Sequence, residues 1–337
     1  MIKIALDAMG GDCGPKSNVD GAILATKECP IKVVLVGDEK RISEELSRYS
    51  PSETKNISIE HASEVIATAE SPSKAFRQKK DSSIHVGLNL VKNKIANGFV
   101  STGNTGAIMA ASTFILGRSK HVDRPGLAAV FPSKKEPFVI LDLGSNVDCK
   151  PNHLAEFAIM GHFFAKFILK RETPKISLLS IGEERDKGNQ LTQATYPLLE
   201  SLPFNFTGNI EAKEMTLGLT DVVVCDGFVG NSLLKFGEGI SKLFTNFFKN
   251  EAKESLLSKF ALCLLIPAFK RFKKKFDYDE YGGAHLLGVN GVSIIAHGSA
   301  SPVAIKNAIK TAYLNVENKV TEKIANAISE YKTSNDH

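Results

Sequence analysis

The chain has 337 residues, 43% hydrophobic and 23% charged, a balance that excludes a disordered or fibrous protein. Its 42 Lys and Arg against 37 Asp and Glu leave a net charge of +5, too small to point to nucleic acid without a broad basic cluster. Its five cysteines (Cys13, Cys29, Cys149, Cys225, Cys263) are scattered and never spaced as CxxC, against a disulfide framework and a zinc site. No cofactor or metal is expected. The length suits one large α/β unit or two closely joined lobes, and residues 1–337 are read as a single integrated α/β domain. The chain opens on the strand-like Ile2 to Asp7 with no signal segment before it, so a cytoplasmic protein is expected. The apolar run Phe260 to Phe269 contains Pro267 and has about half the ~20 residues of a spanning helix.

In chain order, strands are expected at Ile2 to Leu6, Lys32 to Val36, Ile57 to Ile59, Phe99 to Ser101, Leu127 to Phe131, Phe138 to Leu143, Ile176 to Ile181, Asp221 to Cys225 and Val292 to Ala296. Between them, helical periodicity covers Asn18 to Glu28, Glu39 to Ser47, Ser82 to Lys94, Asn104 to Leu116, His153 to Lys170, Asn231 to Phe248 and Pro302 to Ser329. Most of the strands are apolar on both faces. Alternation of such strands with helices predicts a three-layer α/β/α fold around a mostly parallel sheet.

Ligands of open parallel sheets bind beyond the carboxyl ends of the strands, so the residues there carry the functional reading. Asp7 to Asp12, Ser101 to Ala107, Asp142 to Pro151, Gly182 to Asn189, Asp226 to Asn231 and His297 to Ser299 are all rich in glycine and small polar residues. Ser101, Gly103, Asn104, Thr105 and Gly106 open a helix, where backbone N–H groups can hold an anion; alone, this is also an ordinary strand-to-helix turn. GxGxxG is absent after the first strand, and GxxxxGK[ST] is absent throughout. Lys187 is either a cation for a phosphate or oxyanion or a solvated loop charge. Asn231 is either a helix N-cap or an amide donor to substrate, and His297 a general acid or a packed residue. The carboxylates after the strands do not form a metal-ligand pattern, and Cys149 and Cys225 read as buried small residues.

Residues 252–276 read as a protruding amphipathic helix. Leu262, Leu265, Phe269, Phe272 and Phe276 recur at helical spacing, with Lys270, Arg271, Lys273, Lys274 and Lys275 on the other face. This composition suits an anionic membrane surface, or packing against a neighbouring helix or partner subunit.

Taken together and in this order, Leu6 to Asp12, Ser101 to Ala107, Leu141 to Pro151, Gly182 to Asn189, Gly208 to Glu211, Asp226 to Asn231, Tyr281 to Ala284 and His297 to Ser299 resemble the bacterial acyl-ACP:phosphate acyltransferases of phospholipid synthesis. Thr102, where alanine is usual, and His285, where proline or serine is common, depart from that pattern. The resemblance implies a fold like the isopropylmalate dehydrogenases and phosphotransacetylases, a homodimer and peripheral attachment to the inner face of the membrane. It also implies acyl carrier protein and inorganic phosphate as substrates, with acyl phosphate passed to a membrane glycerol-3-phosphate acyltransferase. In that chemistry Ser101 to Gly106 cradle phosphate, Lys187 or Asn231 stabilises the oxyanion, and His297 assists the leaving thiolate. A dehydrogenase on the same fold and a non-catalytic membrane scaffold remain as alternatives.

Overall fold

The structure, a computed structural model, describes residues 1–254, 264–265, 267 and 281–335. The first half of the chain lays down β1 (Ile2–Asp7), β2 (Ile31–Gly37), β3 (Ile57–His61) and β4 (Gly98–Ser101). With them come α1 (Gly14–Glu28), α2 (Glu39–Leu46), α3 (Pro51–Thr54), α4 (Pro72–Gln78), α5 (Ser83–Lys92) and α6 (Thr105–Ile115). The second half supplies β5 (Gly126–Phe131), β6 (Phe138–Leu141), β7 (Lys175–Leu179), β8 (Asn205–Ile210) and β9 (Val222–Val224). Its helices are α7 (Pro151–Phe167), α8 (Gln190–Ser201), α9 (Ala212–Met215) and α10 (Gly227–Glu254). The chain then returns to the first half through β10 (Ala284–Leu287), β11 (Val292–Ile295) and α12 (Pro302–Glu317), and ends in α13 (Val320–Asn335).

All strands join one sheet in the order β3-β2-β1-β4-β11-β10-β5-β6-β9-β7-β8. Two blocks are parallel, β3-β2-β1-β4-β11 and β6-β9-β7-β8, as strands apolar on both faces require. The centre is antiparallel. β5 pairs with β10 through Gly126, Leu127 and Ala128, and with β6 through Ala129, Val130 and Phe131. Because β10 is also antiparallel to β11, the direction reverses three times between the blocks, so they run in opposite directions and the carboxyl ends of both abut β5. Apolar clusters lie on both faces of the sheet: Leu88, Phe99, Ile108 and Ile140 belong to one, and on the other Val19 and Ile305 cover the first block and Phe157, Phe164 and Ile324 the second.

The sequence reading differs from the structure at identifiable places. Strand β8 was not expected because its sequence, NFTGNI, carries Gly208 and two asparagines, and it is tolerated at the sheet edge. Helix α8 contains Pro197, and β10 is too short to show a period. The helix expected over Pro302 to Ser329 divides into α12 and α13 because Lys319 adopts φ +51°. Of the expected amphipathic protrusion, Leu265 is exposed, whereas Leu262, Phe269, Phe272, Lys270, Lys273 and Lys274 lie outside the described residues.

His285, the less expected residue of the sequence pattern, is a core residue of β10. Its ring packs edge-on against Phe164 with centroids 4.9 Å apart, and its Nδ1 lies 3.3 Å from Asn315 Nδ2. Burial pulls its pKa down to about 3. In the unfolded chain an imidazole titrates near about 6.5, so as pH falls below that value the unfolded state takes up a proton that the folded state refuses. Stability is therefore fully present above pH about 6.5 and is lost as pH falls toward the folded pKa. His162, stacked on Phe204 and lowered by burial to about 4, acts in the same direction. Urea unfolding across this range should show His285→Leu losing about 2 kcal/mol less than the parent protein between pH about 6.5 and about 4.5. Identical pH slopes for the two proteins would contradict this account.

Candidate active site

The loops after β1, β4 and β11 are adjacent because these strands are adjacent. Asp7, buried at the end of β1, accepts the N–H groups of Met9 (3.0 Å) and Gly10 (3.1 Å) through Oδ1. Its Oδ2 accepts the Ser101 hydroxyl (2.6 Å), and Ser101 Oγ in turn accepts the Gly103 N–H (3.0 Å). Burial raises the Asp7 pKa against the opposing pull of these bonds. A β-carbon on Gly10 would lie 2.8 Å from the Gly103 nitrogen, so the first two loops touch backbone to backbone. The third joins them where Asp12 N–H donates to the Gly298 carbonyl (2.7 Å). Exposed His297 sits on that third loop, its Nδ1 2.8 Å from Ser299 Oγ.

Asn104 is the N-cap of α6. Its Oδ1 accepts the Ala107 N–H (3.0 Å), while its Nδ2 donates to the carbonyls of Thr68 (2.9 Å) and Glu70 (3.0 Å). The side chains of Ser101 and Asn104 are thus engaged in holding the loop. What the loop presents is backbone: the N–H groups of Thr105 and Gly106 emerge at the helix end, where no intrahelical carbonyl can reach them.

In the second block, Asp142 follows β6 and is fully buried. Oδ1 accepts from Leu127 N–H (2.9 Å) and the Ser145 hydroxyl (2.8 Å), and Oδ2 from Asn146 N–H (2.7 Å) and Asn146 Nδ2 (3.0 Å). Asn146 also donates from Nδ2 to the Pro125 carbonyl (2.7 Å) and accepts Gly227 N–H (2.8 Å) on its own carbonyl. The start of α10 is seated on this loop through glycine: a β-carbon at Gly230 would lie 1.9 Å from the Asp142 carbonyl oxygen.

Asn231 is not the N-cap. Asp226 holds that position, accepting Val229 N–H (2.8 Å), because the helix begins four residues earlier than the periodicity suggested. Asn231 instead lies in the first turns, exposed, facing Gly144 across a gap that a glycine β-carbon would narrow to 3.3 Å. Lys187 sits in the loop after β7, the strand next to β9, with its stem on Gly182 and its ammonium exposed. Asn189 caps the following helix by accepting Thr192 N–H (2.9 Å).

The candidates therefore fall in two groups. Ser101, Gly103, Asn104, Thr105, Gly106 and His297 stand on the first block, Lys187 and Asn231 on the second. Between the blocks lies a cleft of about 820 Å³ walled by α6 (Gly106, Met109, Thr113, Phe114) and by Ser145, Asn146 and Lys150. Gly106 is the one sequence candidate that lines it among the described residues. Arg118, Asp123 and Arg124 also line it, and sequence reasoning missed them. They precede β5, and a search of strand carboxyl ends passes over an amino end; here the antiparallel β5 brings its amino end to the carboxyl end of β6. Neither thiol near these loops is a nucleophile at neutral pH, since burial raises Cys149 to about 11 and pushes Cys225 well above the ordinary thiol range.

Seating α10 on a backbone carbonyl makes Gly230 the most size-restricted residue of the site. Gly230→Ala should cost at least about 2 kcal/mol in urea unfolding. Gly237→Ala, in the same helix with nothing within 4 Å of its added carbon, should instead gain about 0.5–1 kcal/mol. Equal effects of the two substitutions would mean that the carbonyl contact does not constrain the helix.

A family model described as "Fatty acid synthesis protein" matches residues 2–323. A phosphate acyltransferase from Geotalea uraniireducens is 47% identical over 329 residues, covering 98% of this chain and 95% of the relative. One from Pelotomaculum thermopropionicum is 49% identical over 327 residues, covering 97% and 95%. Among solved structures, a phosphotransacetylase from Streptococcus pyogenes superposes with a TM-score of 0.65 at 18% identity, covering 94% of each chain, which establishes a common fold. By sequence over nearly its whole length, the chain belongs to the phosphate acyltransferase family of fatty acid and phospholipid synthesis.

Proposed function

We propose that this enzyme transfers a long-chain acyl group from acyl carrier protein to inorganic phosphate, releasing acyl phosphate for phosphatidic acid synthesis. The observation that carries the reading is the cleft itself: it lies between the two blocks, with Gly106 at the start of α6 on one side and the Ser145 and Asn146 loop on the other, and the exposed Asn231 stands beside Gly144 of that loop. A phosphate oxygen attacks the thioester carbon, a C–O bond forms, and the C–S bond breaks with its electron pair leaving on sulfur. The thiolate then takes a proton, which His297 can supply; with a thiol pKa near about 8.5 it is already an adequate leaving group. Phosphate is its own nucleophile, so the protein's work is to hold it in line and to stabilise the oxyanion of the tetrahedral intermediate. Lys187 and Asn231 are the groups proposed for the oxyanion.

The product is an amphiphile, and α10 offers a surface suited to its delivery. Phe236, Ile240, Leu243, Phe244 and Phe247 recur at helical spacing and are 36–70% exposed. Such a stripe supports the proposal of a homodimer that lies on the anionic inner face of the membrane, near the glycerol-3-phosphate acyltransferase that takes the product. No helix among the described residues is long and apolar enough to cross a membrane.

The test is palmitoyl-ACP with inorganic phosphate and purified protein, the product trapped as hydroxamate. Phosphate-dependent product is expected, with Asn231→Ala and Lys187→Ala each lowering kcat by about 10²–10³. Wild-type protein that yields no product from palmitoyl-ACP would sink the reading, and full activity in either variant would remove that residue from the oxyanion site.

A further inference from the structure

The cleft carries cations that the proposed mechanism leaves unused. Arg118 and Arg124 project from the segment before β5, and Lys150 from the residue before α7, all three exposed at the cleft. Among the described residues none of the three pairs with a carboxylate. The Arg118 guanidinium donates to the Asp123 carbonyl oxygen. The one carboxylate on this wall, Asp123, is turned to Lys332 of α13 (2.6 Å). Burial pushes the Asp123 carboxyl up, but the Lys332 ammonium outweighs it and the net shift is downward, so Asp123 stays charged and paired. His153, also on the wall, accepts the Lys150 N–H on Nδ1 (3.1 Å), and burial lowers its pKa, which keeps it neutral.

The segment carrying these cations is built into the core. Ser119 N–H donates to the Gly288 carbonyl (2.9 Å), Ser119 Oγ to Val289 (2.8 Å), and Asn290 Nδ2 to Arg118 (2.9 Å). On its other side Asp123 N–H donates to Glu156 Oε2 (2.9 Å), and the fully buried Glu156 is paired with Lys332 (2.9 Å). Solvated loop charges need no such support. Three cations without a carboxylate partner, and a wall that follows α6 from Arg118 past Phe114 and Met109 to Gly106 at its first turn, with Leu286 beside it, together describe the ligand. It has a phosphoryl group at one end, a flexible and largely uncharged arm, and a reacting carbonyl at the other.

We propose that Arg118, Arg124 and Lys150 bind the phosphate of the 4′-phosphopantetheine arm of the acyl donor, and that the arm runs along α6 to place its thioester at the Gly106 loop. The inference rests on the acyl-donor reading above and names the subsite that reading lacks. The phosphodiester of a carrier protein and the diphosphate of a coenzyme A present the same chemistry here.

The test compares S-palmitoyl-4′-phosphopantetheine with S-palmitoyl-pantetheine as donors. In the parent protein the phosphorylated donor should have the higher kcat/KM, and in Arg124→Gln/Lys150→Gln the ratio of the two should fall at least about tenfold. A ratio is used because partial loss of folded protein cancels from it. Adding Arg118→Gln should lower the ratio further. Palmitoyl-ACP and palmitoyl-CoA should lose efficiency in parallel. An unchanged ratio overturns the proposal. So does a loss confined to palmitoyl-ACP, which would place the cations against the carrier protein's surface, or one confined to palmitoyl-CoA, which would assign them to its nucleotide phosphate. If the parent protein turns over no donor, the proposed function has failed, and calorimetric binding of 4′-phosphopantetheine against pantetheine still decides the subsite. Preference for the phosphorylated arm that disappears in the variant supports it, and equal binding of the two by the parent protein refutes it.

Discussion

The site depends on one strand that serves two partners. β5 gives Gly126, Leu127 and Ala128 to β10 and Ala129, Val130 and Phe131 to β6, antiparallel to both. Were the central pairs parallel, the carboxyl ends of all strands would lie along one edge, as in a uniformly wound sheet. With three reversals, between β11 and β10, β10 and β5, and β5 and β6, they lie on opposing edges that face each other across β5, and the loops of each block close one side of the cleft. Asp142 locks this arrangement, because its carboxylate binds both its own loop and the Leu127 N–H near the amino end of β5. An unpaired carboxylate at that depth would be costly, so the loop geometry and the charge sustain each other.

A second regularity is the separation between polar groups that build the site and those left for a ligand. The side chains of Ser101, Asn104, Asp142 and Asn146 are committed to neighbouring loop groups, Ser101 to Asp7 and the Gly103 N–H and the others largely to backbone. Backbone N–H groups at the start of α6, the Asn231 amide and the cations before β5 are what remain. This division has a mechanical reason. An anion held by backbone N–H groups meets dipoles that cannot rotate away, and their rigidity is supplied by the buried side chains behind them.

Much of the first block was legible because β1, β2 and β4 are apolar runs bounded by glycine-rich loops, and the helices between them have a clear period. Of the six glycine-rich loops, two contribute lining residues to the cleft among the described residues: Ser101 to Ala107 through Gly106, and Asp142 to Pro151 through Ser145, Asn146 and Lys150. Less was legible where tertiary context overrode local preference: β8 persists despite Gly208, α8 despite Pro197, and the break at Lys319 has no breaker residue to announce it. Asn231 was misplaced relative to its helix because the first turn of α10, Gly-Phe-Val-Gly, has glycines that a propensity reading treats as loop, whereas contact with Asp142 demands them. Arg118 and Arg124 were invisible to a rule based on strand carboxyl ends, and only the direction of β5 brings them to the cleft.

The same direction accounts for the role of the C-terminal helix. The segment before β5 must cross the mouth of the cleft, where exposed cations alone would repel one another and loosen it. Lys332 reaches it from α13, pairing with Asp123 on the segment and with buried Glu156 on α7. Burial raises the Glu156 pKa and the ammonium opposes that rise, so the pair contributes positioning more than net stability. Lys332 thereby engages Asp123, the one carboxylate among the described residues that line the cleft, and the Arg118 guanidinium adds to the field that keeps it charged.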